Sequence, residues 1–184
     1  MAGRGITQFD DLQAEKFFRL GTEYPGVRAF FNWITEFGAG RPLNLLVGGV
    51  TLVLLVQGQF RLALIFVASV ILNRELNIFW KLEFTRLRPI YLAEEIRRGN
   101  FGFPSGHSQN AMFIYSFLTY LSFLAYPRWK WFIGTGLMLL ILLIGISRMV
   151  LGVHFFTDVL CGFLMAMAFL SIWIALIEWK RSAS

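Results

Sequence analysis

The chain contains two histidines, His107 and His154, and each stands in a short polar stretch interrupting apolar sequence. His154 and Asp158 are four residues apart, so at the start of a helix they share one face. A carboxylate within reach of one imidazole nitrogen fixes the ring's tautomer and supports the charge that forms when the other nitrogen attacks. His107 belongs to a different stretch, Phe103-Pro104-Ser105-Gly106-His107-Ser108. It is a candidate general acid, able to protonate an oxygen as its ester bond breaks. Either histidine alone has an ordinary reading as a helix cap or an interfacial residue. Two of them near three cations and an aspartate favour catalysis.

The cations are Lys81, Arg88 and Arg148. Brought together without an equal set of acids they would repel one another, and an anion is the natural missing member. Two guanidinium groups can grip phosphate oxygens through paired hydrogen bonds, and Lys81 adds a point charge. Ser105-Gly106 opens a helix whose free backbone N–H groups and dipole favour an anion, and the glycine permits close approach. Pro104, just before, occupies a position that owes no backbone donor. Together these residues make a phosphate cradle.

The elements that carry them are membrane helices. Of the 184 residues, 57% are hydrophobic and 15% charged, against about 45–50% and about 25% in soluble domains. Mean hydropathy is +0.61. This excludes a disordered chain, a coiled coil and a nucleic-acid-binding domain. The net charge of +6 is better read as charge flanking a membrane. Cys161, alone, cannot close an intramolecular disulfide and reads as packing. Five stretches approach the roughly 20 apolar residues of a span: 43–60, 62–80, 111–126, 131–146 and 155–179. Residues 1–40 instead show two amphipathic segments broken at Pro25-Gly26, expected to lie in the interface, and no cleavable leader. The expected architecture is all-α: an integral membrane bundle of about five transmembrane helices in residues 41–184, preceded by the interfacial segment 1–40.

Alternating span direction puts the stretches 81–89, 103–108 and 147–158 at one membrane face, although they are far apart in sequence. A charge near the apolar region costs about 2.5–3.5 kcal/mol even on lenient scales, so Lys81, Arg148 and Asp158 need partners or a polar cavity. The opposite face carries Arg61, Arg128, Lys130, Lys180 and Arg181 against Glu178. Excess basic charge in short loops marks the cytoplasmic side, so the polar stretches are expected outside.

Lys81-x6-Arg88-Pro89, Pro104-Ser105-Gly106-His107 and Ser147-Arg148-x5-His154-x3-Asp158 resemble, in order, the three signature motifs of the type 2 phosphatidic acid phosphatase family. These are integral-membrane lipid phosphate phosphatases, and the resemblance is greatest to short bacterial members acting on phosphatidylglycerol phosphate or undecaprenyl diphosphate. It covers about residues 40–180. It implies His154 as nucleophile through a phosphohistidine, Asp158 as its orienting group, and His107 as acid and then base. It also implies that Lys81, Arg88, Ser105, Gly106 and Arg148 bind the phosphate, with no metal and no cofactor. The substrate would be a lipid phosphate: undecaprenyl diphosphate, phosphatidylglycerol phosphate, phosphatidate or a lipid A phosphate. The location would be the bacterial inner membrane, with the site facing the periplasm or exterior. The alternatives are a lipid phosphotransferase using the same phosphohistidine, and a protein that merely binds or transports a phosphorylated lipid.

Other positions have plainer readings. Asn73, Arg74, Glu75 and Asn77 should form polar contacts beneath the site. Arg86 is a weaker candidate for a second phosphate contact. Glu94, Glu95, Arg97 and Arg98 read as a solvated charge run. Gly48, Gly49, Gly134, Gly136 and Gly145 are candidate close-packing points between helices. Trp80, Trp129, Trp131 and Trp179 read as interfacial anchors.

Overall fold

In hydrocarbon the backbone must close its own hydrogen bonds, and a helix does so within one segment. The computed structural model describes residues 2–89 and 101–182, with side chains described over 7–89 and 101–179. Its helices are α1 (Ala2–Glu23), α2 (Pro25–Thr35), α3 (Gly40–Val56), α4 (Phe60–Phe84), α5 (Gly106–Ala125), α6 (Lys130–Val150) and α7 (Phe156–Ser182). A 3-10 turn, Glu36–Gly38, links α2 to α3. Among the described residues there is no strand. The expected charge run at 94–98 lies outside them.

Turn chemistry sets the breaks. Pro25 begins α2, where its missing N–H is no loss. Gly58, at φ +72°, takes the left-handed conformation between α3 and α4. Short connections set α3 against α4, α5 against α6 and α6 against α7, and the contacts Asn77–Gln109 and Phe66–Phe117 show that α4 and α5 also run in opposite directions. One end of the bundle joins Lys81 to the carbonyl of Phe101 and Ser105 N–H to the carbonyl of Asp158. At the other end, the Tyr120 hydroxyl donates to Glu178.

Helix α5 is the centre, packed on α4, α6 and α7. Its Ala111, Phe113, Ile114 and Phe117 have no exposed surface. The rings of Phe66 and Phe117 lie 5.0 Å apart, and those of Phe113 and Phe169 lie 5.7 Å apart. Between helices in lipid the gain is close packing, since tails are as apolar as leucine. A Cβ on Gly145 would come within 2.5 Å of the Phe163 ring, and one on Gly134 within 3.3 Å of Phe123 and Thr119. Gly48, Gly49 and Gly136 correct the packing expectation: a Cβ there would meet nothing within 4 Å.

The bundle is apolar outside and polar within. Leu45, Val56, Leu64, Ile71, Phe132, Leu139, Leu164 and Ile172 are exposed, while Ser69, Asn73, Asn77 and Gln109 are buried. A soluble domain rarely leaves so large an apolar surface uncovered, and this is the surface of a membrane protein. Trp129, Trp131 and Trp179 are exposed near helix ends, as interfacial anchors should be. Of the five expected spans, α4, α6 and α7 are long and apolar enough alone. A fourth qualifies if α2, the 3-10 turn and α3 count as one span bent by 40°. Helix α3 has 17 residues, about 26 Å of rise. Helix α5 has the length, 20 residues, but opens on His107, Ser108, Gln109 and Asn110. Helices α1 and α2 pack against α6, and α1 also reaches α7.

Candidate active site

The first polar stretch hangs from the end of α4. Lys81 lies in its last turn, and the helix stops at Thr85, whose φ of +44° turns the chain out of it. The next residues leave as irregular backbone, and both arginines two apart reach the turn before α7. Nη1 of Arg88 lies 3.0 Å from the carbonyl oxygen of Val153 and 3.3 Å from Nε2 of His154. A guanidinium can only donate, so Nε2 accepts and the ring proton sits on Nδ1.

The second stretch is the start of α5. Ser105 is its N-cap, and its fully buried hydroxyl accepts from the Ser108 N–H at 3.4 Å. Close approach is built in at two glycines. A Cβ on Gly106 would lie 3.0 Å from Oδ1 of Asn77, and one on Gly162 of α7 would lie 2.8 Å from the Ser105 carbonyl. Beneath the helix start, Asn77 donates to Gln109 at 2.8 Å and Asn73 to Asn110 at 3.1 Å. These are the polar contacts expected there. Arg74 binds Asn44 of α3 at 2.6 Å.

The third stretch turns at Gly152, whose φ is +70°. His154 N–H bonds back to the carbonyl of Arg148 at 3.3 Å, which places the imidazole above the end of α6. His154 is 2% exposed and Asp158 fully buried. Oδ2 of Asp158 stands 3.5 Å from Nδ1 of His154 and accepts the Phe155 N–H at 2.9 Å. Burial, then the charges of Arg148, Arg88 and Lys81, hold the His154 imidazole well below its ordinary pKa. It is therefore neutral and keeps its lone pair on Nε2 at pH 7. Burial likewise lowers the pKa of Arg88.

His107 meets this group from α5, and Arg148, His154, Arg88 and Lys81 all act on it electrostatically. The 3-10 turn presses on it: a Cβ on Gly38 would lie 3.2 Å from His107 and 2.7 Å from Ile144. The structure thus brings Lys81, Arg88, Ser105, Gly106, His107, Arg148, His154 and Asp158 to one end of the bundle. A neutral nitrogen base, a second imidazole and three cations around one space can receive a phosphoryl group.

Sequence reasoning missed Asp10, Thr157 and Thr35 around this centre and gave Arg86 a different role. Arg86 does not offer its guanidinium to a phosphate; it binds Asp158 at 2.8 Å, Asp10 at 2.7 Å and the Thr157 hydroxyl at 2.6 Å. Asp10 and Thr157 complete that network. Thr35, at the end of α2, accepts from Nη1 of the buried Arg148 at 2.6 Å. Nε of Arg148 has no partner among the described residues, so it is a donor that a bound anion would satisfy. Thr35→Val removes the anchor of this cation. It is expected to weaken orthophosphate binding by about tenfold, the worth of one hydrogen bond to a charged group. Thr35→Ser should restore the affinity, measured as competition by orthophosphate.

The model of the PAP2 superfamily matches residues 60–182. The chain is 34% identical to phosphatidylglycerophosphatase B of Bacillus subtilis over 148 residues, covering 76% of this chain and 70% of that protein. Its fold is similar to the crystal structure of a transmembrane PAP2-type phosphatidylglycerolphosphate phosphatase from Bacillus subtilis. The TM-score is 0.84 at 26% identity, over 95% of this chain and 87% of that one. It also resembles LpxE of Aquifex aeolicus, with TM-score 0.64 and 26% identity, over 88% of this chain and 93% of that one.

Proposed function

Because this chain belongs to the PAP2 superfamily and is a membrane lipid phosphatase, we propose that it hydrolyses a phosphate monoester on a lipid headgroup through a covalent phosphohistidine at His154. Phosphatidylglycerol phosphate is the first candidate substrate, from the names of two similar proteins. The observation that carries the reading is the pose of His154. Nδ1 faces Asp158, and Nε2 faces Arg88 within the cationic group.

Nε2 attacks phosphorus, the phosphorus–oxygen bond to the lipid breaks, and the departing oxygen takes the proton of His107. Asp158, facing Nδ1–H, offsets the positive charge that the ring acquires. Water then gives a proton to His107 as its oxygen attacks phosphorus, and the P–N bond electrons return to Nε2. Lys81, Arg88, Arg148 and the N–H groups at the start of α5 offset the charge spread over the phosphoryl oxygens. That cationic set supplies the electrostatic stabilisation, and the reaction runs without metal. The active end faces the exterior of the bacterial inner membrane, opposite the basic far end, and acyl chains remain beside the apolar faces of the bundle.

The test is phosphate release by the purified protein from a panel of lipid phosphates with EDTA present. A rapid quench with radiolabelled substrate would accompany it. The expected result is EDTA-resistant release with an acid-labile, base-stable phosphoenzyme mapped to His154. Release without any such phosphoenzyme would overturn the mechanism. Loss of label to an added acceptor with no free phosphate would identify a phosphotransferase instead.

A further inference from the structure

Asp10 has no place in the chemistry above, yet it is a fully buried acid on the helix that reads from sequence as a surface element. Its neighbours Asp11 and Glu15 are exposed. Asp10 accepts from Nη2 of Arg86 at 2.7 Å, from the Thr157 N–H at 3.1 Å and from the Thr157 hydroxyl. The Thr157 N–H is one of the donors that the first turn of α7 cannot satisfy within its own helix, so Asp10 caps α7 from another helix. The same Arg86 holds Oδ1 of Asp158 through Nη1 at 2.8 Å, with its guanidinium 4.4 Å from the Phe155 ring centroid.

Helix α1 is fitted to this turn along several residues. A Cβ on Gly21 would lie 2.8 Å from the Val150 carbonyl, and one on Gly152 would lie 2.6 Å from the Phe18 ring. Phe9 meets Phe156 edge-on at 5.7 Å. The turn that carries His154 is therefore walled by α1 from Phe9 to Gly21.

We infer that Asp10 is a positioning residue for phosphoryl transfer, acting through Arg86 and Thr157 to set the place and charge of Asp158. The charge balance gives the reason. If Arg86 faced Asp158 alone, it would neutralise the carboxylate on which the His154 imidazole depends as it turns cationic. With Asp10 as a second acid on the same guanidinium, the trio of two buried acids and one part-buried arginine keeps one net negative charge beside that ring. A neutral amide at position 10 fills the same volume but removes the charge and leaves one acceptor oxygen where Asp10 offers two, to the Arg86 guanidinium and the Thr157 N–H. Docking of the interfacial helix and completion of the nucleophile are then one event.

This inference rests on the phosphohistidine reading, and the experiment separates the two. Asp10→Asn is expected to lower kcat and the rate of phosphoenzyme formation together by about tenfold, the usual scale for a group that orients a reacting residue. KM and orthophosphate competition should stay within about twofold, because no phosphate contact changes. In an Arg86→Gln background, Asp10→Asn should cost less than about threefold, since the charge route through Arg86 is already cut and only the Thr157 contacts remain to be lost. A purely structural role would reduce the active fraction without slowing phosphoenzyme formation in the fraction that remains, and would overturn the inference. So would an undiminished tenfold loss in the Arg86→Gln background. If wild type forms no phosphohistidine, both readings fall. If wild type forms it and Asp10→Asn does so equally fast, only this one falls. Should Asp10→Asn not fold, Thr157→Val carries the same expectation, because it removes the hydroxyl shared by Asp10 and Arg86.

Discussion

Replacing His154 with alanine is expected to reduce phosphate release by about 10⁴-fold or more, the scale set by loss of a covalent nucleophile. The residue is 2% exposed, and its Nε2 lies 3.3 Å from the guanidinium of Arg88. Water cannot take over the attack at comparable speed without the imidazole to receive the phosphoryl group. The sign of the pH dependence follows from the depressed pKa. Burial and three cations favour the neutral ring, so His154 keeps its lone pair as pH falls from 8 through 6.5. Any loss of wild-type activity in that interval therefore belongs to another group, His107 or the substrate phosphate, and not to protonation of the nucleophile. A loss smaller than tenfold in the alanine variant would sink the nucleophile assignment.

The second large effect is expected at His107, where alanine should separate the two halves of the reaction. With a lipid substrate the departing alkoxide is a poor leaving group, and losing its proton donor should cost about 10²–10⁴-fold. An aryl phosphate leaves without that proton, so its phosphoryl group should still reach His154. Hydrolysis of the phosphoenzyme then lacks its base, and label should accumulate on His154 in the variant beyond the wild-type level. Quench-flow with a labelled aryl phosphate reads this directly. Equal losses on both substrates with no trapped phosphoenzyme would remove His107 from the acid–base role. The contact of His107 with Gly38 makes the conservative change His107→Gln a useful companion, since it fills the same space.

Much of the site was legible because polar residues are conspicuous in an apolar chain. Three stretches carrying Lys81, Arg88, His107, Arg148, His154 and Asp158 had to converge once five apolar segments alternated in direction. The four-residue spacing of His154 and Asp158 does bring them within 3.5 Å, but His154 stands in the turn before α7 and not on the face of that helix. Where the expectation slipped, the cause was local. Helix α5 opens on polar side chains, and α3 falls short at 17 residues, so length and composition mark fewer spans than five. Gly48 and Gly49 looked like contact points because glycine in a span usually is one, but the face they occupy meets nothing within 4 Å.

Composition, order and spacing by themselves determined that the chain folds as membrane helices, that one end of the bundle is cationic, and that two histidines meet there. Local sequence carries such facts because hydrophobic periodicity and charge are properties of each segment. Only the tertiary structure decided what each charge is for. Asp10 and Asp11 are adjacent acids on one amphipathic helix, and nothing in the pattern tells them apart. Packing buries the first against Arg86, 76 residues away, and leaves the second exposed. Arg86 and Arg88 are equally basic, yet one is held by two carboxylates and the other faces the His154 imidazole. Amphipathic periodicity shows that a helix has a polar face, but water and a buried partner satisfy that face equally well in sequence. Which of them it meets depends on how distant helices pack.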